Sequence, residues 1–345
     1  NLFETHFDSF ISAAPGPRAL VFHGPHGIGK SRLFRAMKWR AQQRCDVAEL
    51  PAPVAPPHPD RAIRSLLDSG TLVRLRHGCY IRASLWNAQS PTVRSRQLIY
   101  AHAHGTRTTS TGAFHYSHTS AARLRLLHLW DVDDVIHILQ KVRPSNERHG
   151  RDVRCHTRPF ADHDVAVVNG LRTTSLERTT ADCAMLLPYR QALILTDHAL
   201  RLGADPGALQ ALADGLDGRR GIRTFRRVLA AADPRSESPG ETLARDLILR
   251  LRIRPPEPQV EVSSRAGRHR LDFAWKEEKV ALEFDGKIKY FDYSPTAEVL
   301  FEERRREKAL VEEGWRFVRV EWKDLFREQE FKSRLLRALA GRRHP

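Results

Sequence analysis

Sulfur is scarce in this 345-residue chain, which has 4 cysteines and 2 methionines. Cys45, Cys79, Cys155 and Cys183 lie far apart, form no Cys-x-x-Cys pair and show no zinc-ligand spacing. A disulfide scaffold and a zinc finger are thereby excluded, and reduced thiols are expected. No apolar run reaches the roughly 18 residues of a membrane span, and the start shows no charged leader followed by an apolar stretch. The expectation is a cytoplasmic protein with no membrane partner. Repeats of fixed period are absent too. The first residue is Asn rather than Met, so a trimmed chain or a start within a longer reading frame is expected.

Positive charge is what the chain has in excess. Lys and Arg total 57 against 41 Asp and Glu, a net charge of +16, with a sequence pI near 10.3. Arginine accumulates in proteins of high-GC genomes, but a surplus of this size points to a polyanionic partner, DNA above all. The hydrophobic share of 41% is ordinary for a folded chain and speaks against wholesale disorder.

Composition divides the chain into four segments and predicts a multi-domain α/β protein. Residues 1–48 hold an apolar strand, "ALVFHG", a glycine-rich turn and a basic helix. Residues 49–59 are a proline-rich linker, "LPAPVAPPHP", unfit for a helix interior. Residues 60–235 read as a mixed, mostly helical region. "DRAIRSLLDSG" is expected to be a helix stopped at Gly70, and "TLVRLRHGCYIR" a small hairpin. Residues 236–345 predict a helix, three strands, a charged crossover helix, a strand and a closing helix. That order requires a mixed sheet flanked by helices.

The last segment carries the sharpest chemical signal. In "VALEFDGKIKY", Glu283 and Asp285 are two apart and would share a strand face; Lys287 and Lys289 come next. Asp272 in "LDFAW" lies on the neighbouring predicted strand, and Glu241 on the helix before it. Clustered acids in an apolar run are costly unless a cation sits among them. A metal ion fits that need: Mg²⁺ asks for hard oxygen ligands, of which one or two are carboxylates. Pairing with the many arginines, Arg270 being near in sequence, is the plainer alternative.

The run "ESPGETLAR … PQVEV … HRLDFAW … VALEFDGKIKY … EERRREKALVEEGWRFVRVEW", about residues 236–330, resembles the PD-(D/E)XK nuclease fold. Within that fold it is similar to the branch related to very-short-patch-repair (Vsr) endonucleases. The resemblance implies Mg²⁺ or Mn²⁺ held by Asp272 and Glu283, an auxiliary acid at Glu241 and a polar partner at Gln259. It implies phosphodiester hydrolysis of DNA in a restriction, repair or phage-defence setting. The superfamily's lysine is expected at 285, where Asp285 stands, as an acidic residue usually does in this branch; Lys287 or Lys289 would supply a compensating cation, or Asp285 a further metal or water contact.

Around the predicted hairpin, "IRSLLDSGTLVRLRHGCYIR" has the form of a helix with a basic wing after it. Arg61 and Arg64 would lie on the helix, and Arg74, Arg76, His77 and Arg82 along the wing, facing phosphates. The stretch resembles the winged helix of AbiEi-type antitoxins. "SHTSAARLRLL" and "LRTTSLERTTADCA" resemble the region C-terminal to the winged helix in those proteins. This implies a DNA-binding regulator and a cognate toxin or defence partner. A homodimer is also admitted. The helices expected before the recognition helix are replaced here by the linker. Histidines are frequent in "AHAHG" and "HYSH": His102 and His104 are expected to point the same way on a strand, His115 and His118 to be helix neighbours. No carboxylate or cysteine completes a zinc set with them, and they read as polar surface.

"GPHGIGKS" fits the P-loop pattern, after an apolar strand and before a helix. Gly24, Gly27 and Gly29 would shape the phosphate cradle, Lys30 would reach the β and γ phosphates of ATP, and Ser31 would hold Mg²⁺. It resembles the opening of a STAND- or AAA-type ATPase. The further strands of such a domain are lacking, and "LLHLWD" at Asp131 and "LILTD" at Asp197 are the only Walker B lookalikes. A partial P-loop unit is therefore expected rather than a working ATPase.

Overall fold

The structure, a computed structural model, describes residues 59–76, 79–106, 114–142, 150–286, 305 and 307–341. The chain divides between Gln89 and Ser90 into two units. The P-loop stretch lies outside the described residues, as do nearly all of the linker, His77 and Lys287.

In the first unit, helix α1 (Pro59–Asp68) opens on a proline, whose missing N–H costs nothing at a helix start. It closes at Gly70, where φ is +70°. There the Thr71 N–H reaches back 2.9 Å to the Leu66 carbonyl, a cap that needs a residue tolerant of left-handed backbone. Strands β1 (Leu72–Arg76) and β2 (Cys79–Arg82) form the expected antiparallel hairpin. Val73 faces Ile81, which is buried, and Arg74 faces Tyr80. A short helix, α2 (Ala83–Ala88), comes next.

The second unit begins with α3 (Pro91–Thr106). A five-stranded sheet comes after it, formed by β3 (His115–Tyr116), β4 (Ile136–Gln140), β5 (Val153–Thr157), β6 (Val165–Val168) and β7 (Leu171–Thr174) in the order β5-β4-β3-β7-β6. Helix α4 (His118–Leu124) is threaded between β3 and β4. Residues 60–235 are mixed with more helix than strand, and this sheet is the part of them that the sequence did not announce. Its strands are two to five residues long and carry His, Arg, Thr and Gln, so no apolar alternation announces them.

Four helices then pack around Phe225, Leu193 and Leu209: α5 (Leu176–Leu186), α6 (Tyr189–Arg201), α7 (Pro206–Gly215) and α8 (Ile222–Ala231). Asp197 of "LILTD" lies within α6, buried, with its carboxylate 2.7 Å from Arg245. "LLHLWD" forms no strand. Neither lookalike is a Walker B strand.

The C-terminal part keeps the predicted order. Helix α9 (Pro239–Arg250) precedes β8 (Glu257–Ser264), β9 (Gly267–Trp275) and β10 (Val280–Phe284). Helical turns at 307–312 lead into β11 (Arg316–Val320), which pairs parallel to β10. The sheet is thus mixed, in the order β11-β10-β9-β8. A 3₁₀ turn at Trp322–Phe326 and α10 (Glu328–Ala340) close it. Leu243 and Leu247 of α9 pack with Phe273, Leu282 and Val320 on one layer of this sheet, joined by Ile194 of α6. Residues on either side of position 235 therefore share a core.

Candidate active site

Four elements bring Glu241, Gln259, Asp272 and Glu283 to one end of the mixed sheet. The sequence Ser-Pro-Gly-Glu starts α9: the Ser238 Oγ accepts the Glu241 N–H at 3.2 Å, which fixes Glu241 in the first turn. One oxygen of Glu241, Oε2, accepts the Glu237 N–H and the Gln259 Nε2–H, each at 2.9 Å. The residue is 6% exposed.

Gln259 sits inside β8 with φ +55°, left-handed backbone that a side chain bearing a Cβ adopts at a cost. Its neighbours Pro258 and Val260 pair with Phe273 and Leu271, so register places Gln259 opposite Asp272. Its Oε1 is buried and meets no hydrogen-bond donor among the described residues.

At Asp272 the β9–β10 ladder stops. Val280, Ala281 and Leu282 pair with Trp275, Ala274 and Phe273, and one further step would set Glu283 opposite Asp272. Instead, the Asp272 Oδ2 accepts the Phe284 N–H at 2.8 Å. The side chains also part here. Leu271 packs with Val260 and Leu310, while Phe273, two residues on, packs with the α9 layer. The regular pairing ends there, and the Asp272 carboxylate takes a backbone N–H of β10 instead.

The electrostatics arise from burial, with no matching cation on the Glu241 and Asp272 carboxyls among the described residues. Burial and the Asp272 charge push the Glu241 carboxyl up to about 7. Burial raises Asp272 to about 6 against the pull of the Phe284 N–H and Arg270. Arg270 does not pair with Asp272; its two terminal nitrogens grip both Glu237 oxygens, at 3.0 and 2.7 Å. Glu283 continues the row toward β11, where its register partner is Arg319, which is itself ion-paired with Glu307. Asp285 lies just past the end of β10, half-buried, its N–H donating to the Val320 carbonyl at 2.8 Å. The arginine alternative thus holds for Glu237 and Glu307, residues the sequence did not single out, and not for Asp272.

Of the wing residues, Arg64, Arg74 and Arg82 are exposed and Arg76 is half-buried. Cross-strand pairing of Arg74 with Tyr80 and of Leu72 with Arg82 puts Arg74 and Arg82 on the outer face of the hairpin. Arg61 falls in α1, and His77 is outside the described residues. The nucleotide set Gly24, Gly27, Gly29, Lys30 and Ser31 is likewise outside, with Lys287.

The histidines depart from their expected places. His102 and His104 lie on helix α3, not a strand, and His115 lies on β3 while His118 opens α4. His102 and His118 are buried, the former with its Nδ1 2.8 Å from the Tyr116 hydroxyl. His118 is brought beside His137 and His156, which no sequence spacing linked.

No family model matches the chain. Two uncharacterized proteins of Mycobacterium tuberculosis, MT2308 and Rv2248, are each 32% identical to it over 163 residues. The match takes in 47% of this chain and 59% of each relative, so the chain spans somewhat over half the length of the curated relatives it matches. A crystal structure of the Rv2827c protein of the same species aligns with 67% of this chain and 82% of its own, at 16% identity and a TM-score of 0.32. That likeness is too distant to bear on fold or function.

Proposed function

We propose that the C-terminal part of the chain is a divalent-metal-dependent endonuclease domain that hydrolyses phosphodiester bonds in DNA. The observation that supports this most is the convergence of Glu241 and Asp272, two carboxylates held up to about 7 and 6, at a place where the regular pairing of the sheet ends. Carboxylates in that state are short of positive charge.

The donor set fits Mg²⁺ or Mn²⁺: hard carboxylate oxygens from Asp272 and Glu283, beside the unsatisfied Oε1 of Gln259. When bound, such an ion acidifies a water and steadies the departing oxygen of a phosphodiester. The chain's own residues do the rest. The Phe284 N–H fixes the Asp272 carboxylate. Gln259 and the Glu237 N–H fix one oxygen of Glu241, which places this acid to take and return a proton. Lys287 would supply positive charge at the scissile phosphate, and the exposed Arg64, Arg74 and Arg82 would hold DNA by its backbone.

The test is plasmid cleavage. With Mg²⁺ or Mn²⁺ the wild-type chain should nick or linearise supercoiled DNA, and Asp272→Ala and Glu283→Ala should fall to background while still binding DNA. Equal, intact DNA with all three proteins would overturn the reading. A second reading, a non-catalytic antitoxin-like regulator that only grips DNA, is favoured by one observation: Asp285 stands where a catalytic lysine is expected. Retained binding without cleavage would select it.

A further inference from the structure

We propose that His118, His137 and His156 form a binding site for a transition-metal ion of the zinc(II) class, separate from the carboxylate site. One ring nitrogen from each lies within 4.8 Å of those of the other two. The site is built by the fold. His137 and His156 stand on the adjacent parallel strands β4 and β5, where Leu139 faces His156 and His137 faces Arg154, so both rings rise from one face of the sheet, two residues out of step. His118 descends on them from the first position of α4. Its ring stacks on His156 with centroids 3.8 Å apart and 18° between planes.

The backbone is held for this. The Ser117 N–H donates to the His137 carbonyl at 3.0 Å, and the His137 N–H donates to the Ser120 Oγ at 2.8 Å. Between these two ties His118 is kept at φ +48°, left-handed backbone for a residue with a Cβ. Such strain persists where the surroundings over-determine it and gathers at functional sites. His118 and His137 are each 2% exposed, and His156 is half-buried, which leaves one approach from solvent.

Donor chemistry selects the ion. Three imidazole nitrogens suit Zn²⁺, Co²⁺, Ni²⁺ or Cu²⁺, and exclude Mg²⁺ and Ca²⁺, which ask for oxygen. A supporting partner is present: Ser117 Oγ lies 2.9 Å from the His118 Nδ1, which leaves Nε2 of that ring as ligand. The His137 Nδ1 and His156 Nε2 are 2.8 Å apart, against about 3.3 Å between ligand nitrogens of a tetrahedral zinc site built from 2.0–2.1 Å bonds. The two nitrogens share a hydrogen bond in this structure, which an incoming ion would replace. Three protein ligands leave a fourth position open.

Cobalt(II) is the probe. The full chain, stripped with chelator and titrated with Co²⁺ in excess Mg²⁺, which keeps the carboxylate site occupied, should take up one equivalent with visible d–d bands, and Zn²⁺ should displace it. His156→Gln should weaken Co²⁺ binding at least tenfold, whereas Asp272→Asn should keep the full equivalent. X-ray absorption on the wild-type Co²⁺ protein should count three imidazoles, a readout independent of whether any variant folds. Fewer than two imidazoles, no d–d bands, or unchanged binding in a folded His156→Gln protein would overturn the proposal. Loss of the bands in Asp272→Asn alone would move the ion to the carboxylates and overturn it too.

Discussion

Burial and the neighbouring Asp272 charge drive Glu241 well above the ordinary carboxylate range. With burial and Asp272 holding its carboxyl near 7, the folded chain binds this proton more tightly than the unfolded chain does. Linkage sets the sign: the stabilisation from protonated Glu241 is present at low pH and is lost as pH rises through about 7. In metal-free protein, the stability of wild type relative to Glu241→Gln should therefore fall as pH rises from about 4.5 to about 7 and level off above that. A relative drop in melting temperature on the order of 5 °C is expected, given about 2–4 °C per kcal/mol for a unit of this size. A difference that stays flat across that window would mean that Glu241 is solvated. At the same scale, Gln259 gives up ordinary strand backbone opposite Asp272 and gains a bond to Glu241. Its identity was legible in the sequence; its strain was not.

At the scale of elements, the start of α9 and the end of β10 act as one piece. Gly240 lies so close to Phe284 that a Cβ on it would fall 1.9 Å from the ring. Phe284 in turn supplies the N–H that holds Asp272. Gly240→Ala should cost about 1–3 kcal/mol by overpacking and should abolish metal-dependent nicking, as read by melting and plasmid assays on the same preparation. The hairpin of the first unit makes a different kind of prediction. Arg74 and Arg82 stand on its outer face, and each that neutralises a phosphate adds about 1 to the slope of log affinity against log salt. Replacing both with Gln should flatten that slope by about 2, uniformly across DNA sequences, in a fluorescence-anisotropy titration.

Across the whole second unit, the helical layer and the mixed sheet are joined by a buried ion pair. Asp197 on α6 accepts from Arg245 on α9 at 2.7 Å and from Thr242 at 2.8 Å, with the Asp233 N–H completing it. Asp197 is 1% exposed, so Arg245→Ala would strand its charge and should destabilise the unit by about 3–5 kcal/mol, measurable by urea denaturation. Among the described residues no helix is long and apolar enough to cross a membrane.

What the sequence determined by itself is what depends on near neighbours. The α1 stop at Gly70, the β1–β2 hairpin, and the order of helix and strands around Asp272 and Glu283 come from local pattern and turn chemistry. The tertiary structure decided what depends on distant residues. It routed Arg270 to Glu237 rather than to Asp272. It wove a sheet from strands too short and too polar to show a period. It carried His118, His137 and His156 to one place from segments about twenty residues apart. Periodicity reports which face of an element is buried, but only the packing of elements sets which charge meets which.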